Sequence, residues 1–127
     1  MHGILLFAHG ARDPAWSRPF EAIAQHMRQT AQAHRVSLAY LELMQPSLPD
    51  AADVLVEQGC TRITVVPVFL GAGGHVKRDL PALLAALRAR HPQVQVDATC
   101  AIGESPDVIA ALAEAALRLA QAGTPAA

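Results

Sequence analysis

At 127 residues, 52% of them hydrophobic and only 4% aromatic, the chain suits one compact domain whose core is built from Leu, Val, Ile and Ala, burying about two thirds of its unfolded surface. A formal charge of -1, from 10 basic and 11 acidic residues, excludes the broad basic footprint that nucleic acid or an anionic membrane would require. Two cysteines, Cys60 and Cys100, are too few for a secreted disulfide scaffold and lack metal-motif spacing, which points to reduced thiols in the cytoplasm.

The stretch from Met1 to Asp13 carries no basic leader. Its apolar run Ile4 to Ala8 is far shorter than the roughly 18 residues of a membrane span. A buried strand is expected over Gly3 to Ala8. A helix follows with Phe20, Ile23, Ala24, Met27 and Ala31 on one stripe and a start between Asp13 and Pro19. Val36 to Leu43 reads as the second strand. Ser47 with Asp50 three residues on is a capping-box-like start for a second helix that buries Leu48, Ala52 and Leu55 and stops at Gly59. Arg62 to Leu70 reads as the third strand, with Pro67 expected near the end of pairing or at a bulge, because proline has no N–H to give the ladder. Leu80, Leu83, Leu84 and Leu87 mark a third helix, with Asp79 as its expected N-cap and His91-Pro92 ending it. Val94 to Ala98 is the fourth strand. The fourth helix runs from Ser105-Pro106 through Ile109, Leu112, Ala113 and Ala116 to near Gly123, and residues 124–127 read as a frayed tail to a single domain spanning 1–123. Strand and helix alternate four times with short connections, which predicts an α/β fold with a four-stranded parallel sheet and helices on both faces.

In such a sheet the ligand site lies outside the carboxyl ends of the strands, where the strand-to-helix loops gather. Three groups fall there: His9, in Ala8-His9-Gly10-Ala11-Arg12-Asp13 after the first strand; Glu42, at the end of the second; and His75, in Gly71-Ala72-Gly73-Gly74-His75-Val76-Lys77-Arg78-Asp79 after the third. Successive members are one strand–helix unit apart, so equivalent points on neighbouring units bring them close. Two imidazoles and a carboxylate suit borderline divalent ions such as cobalt, nickel, iron or zinc and leave coordination positions open, unlike a thiolate cage. A neutral imidazole is also a base near neutral pH. Arg12, Lys77 and Arg78 flank the histidines, either as a solvated face or as partners for carboxylates of a polyanionic ligand. Gly71, Gly73 and Gly74 match neither a P-loop nor G-x-G-x-x-G. They are expected to let the backbone turn and approach a flat ligand. His2, His26, His34 and His91 read as surface residues, with His26 and His34 on the first helix.

His9-Gly10-x-Arg12, Leu41-Glu42, Pro46-x-Leu48 and Val66-Pro67-x-Phe69-Leu70-x-x-Gly73-x-His75-x-x-x-Asp79-Leu80-Pro81, together with Ile102-Gly103, resemble the short form of the sirohydrochlorin cobaltochelatases over nearly the whole chain. The resemblance implies a flavodoxin-like chelatase fold and metal coordination by His9 and His75, with Glu42 as a third candidate. It also implies a tetrapyrrole bound in the cleft, for which Arg12, Gly73, Gly74, Lys77 and Arg78, read above from their positions, are the expected substrate contacts. The divalent ion is then a substrate, Co2+ or alternatively Ni2+ or Fe2+, and no organic cofactor is expected. Ala11 stands where the family usually has Ser, which removes a hydroxyl near the site. A histidine phosphatase is disfavoured because Ala8, not Arg, precedes His9. A non-catalytic metal carrier or sensor using the same histidines remains the alternative. One unit without an internal repeat offers a single open edge to a macrocycle, so a homodimer with its sites facing a shared cleft is expected.

Overall fold

Apolar side chains on both faces of the first strand place it inside the sheet. The structure, a computed structural model, describes residues 1–71 and 73–123, and the backbone alone of His75. β1 (His2–Ala8) lies between β2 (His34–Tyr40) and β3 (Arg62–Pro67), and β4 (Gln95–Ala98) completes the order β2-β1-β3-β4, every pair parallel. The period-two alternation of strand side chains sorts the core into two clusters. Leu5, Phe7, Ile63, Val65 and Val96 face α2 (Leu48–Glu57) and α3 (Gly74–Arg90). Leu6, Ala8 and Val36 face α1 (Arg18–Thr30) through Ala24. The expected parallel α/β sheet with helices on both faces is therefore present, and α4 (Pro106–Ala122) ends the described chain. The expected fraying of 124–127 lies outside the described residues.

Local chemistry sets the element ends. Asp13 Oδ1 accepts a hydrogen bond from Ala15 N at 2.9 Å and caps a 3-10 turn, Pro14–Ser17, that leads into α1. Ser47 Oγ accepts from Asp50 N at 3.3 Å and starts α2 as expected. Gly123 closes α4 in the left-handed conformation, which glycine adopts without steric cost.

Five expectations are corrected. β2 ends at Tyr40 rather than Leu43, because the chain turns back there and Tyr40 N donates to Pro46 O at 2.9 Å. β3 ends at Pro67 rather than Leu70, where the ladder loses its donor. Asp79 is no N-cap: α3 begins at Gly74 with Gly73 in the cap position, so His75, Lys77, Arg78, Asp79 and Pro81 all lie within the helix. Ile23, expected on the buried stripe of α1, is exposed, and Ala24 is the buried residue of that helix. His34 opens β2, opposite His2 on β1, and both are half-buried rather than on the surface. His2 Nε2 lies 2.7 Å from Thr64 Oγ1, and burial, then the charge of Arg62, holds this imidazole below its ordinary pKa.

His91 is also half-buried. Its Nε2 lies 2.8 Å from Asp53 Oδ1, while Arg90 Nη2 donates to Asp53 Oδ2 at 2.5 Å, so the end of α3 is clamped to α2. The Arg90 guanidinium, then the His91 hydrogen bond, holds the Asp53 carboxyl below its ordinary pKa of 3.8. A carboxyl depressed on folding adds stability above its unfolded pKa and loses it as pH falls through the folded value. We expect Asp53→Asn to lower the melting temperature at neutral pH by roughly 2–5 °C. Paired thermal melts from pH 7 downward should show the two proteins converging once the pH drops below the ordinary carboxylate range.

Candidate functional site

The strand pairing of β1 with β2 does not stop where the strands end. Leu41 N donates to Ala8 O at 2.9 Å and Glu42 N to His9 O at 3.0 Å, so the ladder runs two residues further and sets His9 beside Glu42. Gly10 makes this possible. Its φ is +99°, and a Cβ there would collide with the Glu42 carbonyl oxygen, so only glycine lets the two segments lie this close. The result is a direct contact: His9 Nε2 and Glu42 Oε1 are 3.0 Å apart, both side chains about half exposed. Phe69 supports the imidazole from the adjacent loop, its ring edge-on to His9 at 6.4 Å between centroids and edge-on to the buried Phe7 at 6.1 Å. The His9–Glu42 juxtaposition expected from their spacing is thus present, with Glu42 in the loop just past β2 rather than on it.

His75, the third expected member, occupies the first turn of α3, after the loop that follows β3. Its side chain lies outside the described residues. That loop is held against the segment after β4: Gly103 N donates to Phe69 O at 2.9 Å, and a Cβ on Gly103 would strike the backbone of Leu70. Gly71, Gly73 and Gly74 are a different matter. None has a positive φ and nothing lies within 4 Å of where a Cβ would sit, so the expectation that a turn requires them is corrected. They line open space.

The basic residues divide between two clefts. Arg12 lines one of about 410 Å³ with Tyr40, Leu43 and Glu21; burial, then Glu21, raises the Tyr40 phenol above its ordinary pKa and keeps it neutral. Lys77 lines another of about 350 Å³ between α3 and the end of β4, with Leu80, Cys100 and Glu104. Arg78 turns back on its own helix, its Nε donating to Gly74 O at 3.2 Å. Both cysteines are free, Cys60 buried and Cys100 exposed. Among the described residues no helix is long and apolar enough to cross a membrane, and no group of three or more His, Cys, Asp or Glu is placed to hold a metal.

Two features escape a reading of the sequence. Leu43, beside Glu42, has φ +66° and is exposed, and Leu70, across the same edge, is more exposed still. A leucine in the left-handed region costs about 1–2 kcal/mol, and no residue type in the sequence signals it. Phe69 as the prop under His9 is equally silent in the pattern.

A family model described as CbiX matches residues 3–119. A sirohydrochlorin cobaltochelatase of Methanopyrus kandleri is 36% identical over 84 residues, which are 66% of this chain and 59% of that protein. The chain thus spans less than two thirds of that relative's length. A solved structure described as a putative cobalamin (vitamin B12) biosynthesis CbiX protein from Marinobacter aquaeolei is 33% identical, with a TM-score of 0.85 over 95% of this chain and 98% of that one. The sirohydrochlorin chelatase SirB of Bacillus subtilis subspecies spizizenii, solved in complex with cobalt, is 27% identical, with a TM-score of 0.78 over 89% of this chain but 48% of that one.

The geometry ranks the glycines. Gly10→Ala should lose more than about 2 kcal/mol in urea unfolding, from positive-φ strain plus collision with backbone. Gly73→Ala, at a helix N-cap with open space around it, should cost less, about 1 kcal/mol, because alanine caps more poorly than glycine but meets no clash. Equal losses in the two denaturation curves would contradict the close approach at Gly10.

Proposed function

This chain belongs to the CbiX family, and we propose that it inserts a divalent ion, Co2+ in the first place, into sirohydrochlorin or a related tetrapyrrole in the cytoplasm. The observation that carries the proposal is the His9–Glu42 pair on the open sheet edge. Two donors bound at right angles to one ion through bonds of roughly 2.1 Å lie about 3 Å apart, and Nε2 and Oε1 stand at 3.0 Å. His75, on the first turn of α3, is the proposed third ligand. Three such donors leave positions free for the nitrogens of the macrocycle, and none is a thiolate, so the ion can be handed on.

Insertion exchanges two pyrrole protons for the metal. In the proposed sequence His9 and His75 present the ion, and the carboxylate of Glu42 balances its charge. As metal–nitrogen bonds form, the two imidazoles released from the ion each take up one of the two pyrrole protons and later pass it to water. Arg12 and Lys77, lining clefts on either side, and Arg78 are the proposed partners of the substrate's carboxylates. Gly73 and Gly74, with open space beside them, give the ring room to lie against backbone. Exposed Leu43 and Leu70 supply apolar rims to a flat ligand, which would account for a strained leucine being kept. A second copy of the chain is proposed to close the cleft, since one sheet edge covers only one face of a macrocycle.

Incubating the protein with sirohydrochlorin and cobalt, nickel or ferrous salts, and following visible absorbance against the uncatalysed rate, tests the activity. Acceleration with Co2+ is the expected result. Tight metal binding with no acceleration would instead favour a carrier or sensor. His9→Ala and His75→Ala should reduce insertion to the uncatalysed rate with circular dichroism unchanged, while Glu42→Gln weakens metal binding less, by roughly tenfold. Leu43→Asn separates the rim from the fold: asparagine tolerates the left-handed region, so stability should hold or rise by about 1 kcal/mol while KM for the tetrapyrrole increases.

A further inference from the structure

The cleft beside Arg12 is built from the same two segments that carry the His9–Glu42 pair. Arg12 comes from the loop after β1 and Leu43 from the loop after β2, and the start of α1 closes the cleft with Ser17, Arg18 and Glu21. Its floor is buried. Tyr40 is 6% exposed and Ser17 8%, the one buried polar residue among those described. Ser17 Oγ stands 3.0 Å from Pro14 O and 3.3 Å from Glu21 Oε1, which ties the turn before α1 to the first turn of the helix.

The acids around this cleft are already engaged. Glu21 meets the hydroxyl of Ser17, Asp13 Oδ1 accepts from Ala15 N at 2.9 Å, and Glu42 lies against His9. The guanidiniums are not engaged: Arg12 and Arg18 are both exposed, and among the described residues neither has a hydrogen bond or an ion pair. Two cations lining one cleft repel each other. Arg18 is moreover the first residue of α1, where the helix dipole favours an anion over a cation. Stability of the fold explains neither arginine, whereas an anion entering the cleft from outside the chain explains both.

We infer that this cleft receives carboxylate arms from the periphery of the tetrapyrrole, with Arg18 as a substrate-binding residue beside Arg12. A guanidinium holds a carboxylate through two parallel N–H donors, so two of them suit two acidic arms on neighbouring ring positions. The volume, about 410 Å³, is that of a ligand pocket. The cleft on the Lys77 side has a different character. Its arginine, Arg88, spends Nε and Nη2 on Val96 O at 2.9 and 2.7 Å, and Leu80 and Leu84 give it aliphatic walls. The two sides of the sheet edge therefore differ, and the acidic arms are anchored on the α1 side. The inference rests on the chelatase reading above and adds what that site selects: a macrocycle with free acidic arms over one whose arms are neutral.

Equilibrium binding of metal-free sirohydrochlorin, followed by its visible absorbance, and steady-state insertion of Co2+ test it on the full chain. Arg18→Gln should weaken sirohydrochlorin binding and raise KM by roughly tenfold, while kcat and Co2+ affinity stay close to wild type. Arg18→Lys should recover part of the loss, since it keeps the charge without the planar fork. Added salt should weaken binding by the wild type more than by Arg18→Gln. The methyl-esterified macrocycle should bind the two proteins equally. Arg35→Gln, at the other end of β2, should leave binding and insertion unchanged. An Arg18→Gln protein with wild-type binding and KM overturns the inference, as does an equal loss in Arg35→Gln, which would reduce the effect to net charge. A wild type that binds sirohydrochlorin through Arg18 but inserts no metal overturns the chelatase reading and leaves the cleft assignment standing. A wild type that binds no sirohydrochlorin overturns both.

Discussion

The contact on which the site depends is between backbones: the segment after β1 lies directly on the segment after β2, with Gly10 under the Glu42 carbonyl. Two hydrogen bonds, Leu41 N to Ala8 O and Glu42 N to His9 O, extend the ladder beyond the strands. A parallel sheet normally frees its chains at the strand ends, and side chains on those loops then lose fixed geometry. Here the loops stay in register, so His9 and Glu42 inherit the spacing of a sheet pair rather than that of two independent loops. The same device recurs on the other side, where Gly103 lets the segment after β4 lie on Leu70. Two glycines thus tie the loops after the four strands in two pairs, β1 to β2 and β3 to β4, and the His9–Phe69 ring contact joins the pairs.

Much of this was legible in the sequence because it is encoded by period and by chemistry at element ends. Continuous apolar runs marked the buried strands, Ser47 and Asp50 marked a helix start, and equal spacing of His9, Glu42 and His75 reflected the repeat of strand–helix units. What was not legible depends on long-range contact. Pattern alone extended β2 to Leu43 because Leu41 and Leu43 alternate well; the turn at Leu43 that removes them from the strand comes from where the chain must go next. Asp79 resembles a cap because it precedes a leucine stripe and a proline, yet α3 starts five residues earlier at Gly74, where no apolar stripe announces it. His34 and His91 looked like surface residues since histidine carries no periodic signal, and one proved to open a strand while the other joins the α2–α3 clamp through Asp53.

The candidate site is open by construction. His9 and Glu42 are each about half exposed, and the donors come from loops on separate strands rather than from one closed motif. For an ion held as part of the structure this would be a poor arrangement, because water and competing ligands reach it freely. For an ion that must leave, it is the requirement: affinity beyond what the macrocycle can outbid would stop turnover. The proposed chemistry and the exposure of its residues are consistent on this point, whereas a sensor would gain from a site that is more enclosed.

Openness has a cost on the substrate side, since a flat ligand bound to one sheet edge keeps a face in water. The same chain leaves a sheet half-covered and a helix without a layer to join, at the far side of β3 from α3. These are two deficits of one kind, each a surface that lacks its counterpart. If each were met by a separate partner, two independent interfaces would have had to arise on a chain of 127 residues. The second copy proposed to close the cleft would supply both kinds of surface through one association, because two-fold symmetry presents every surface twice.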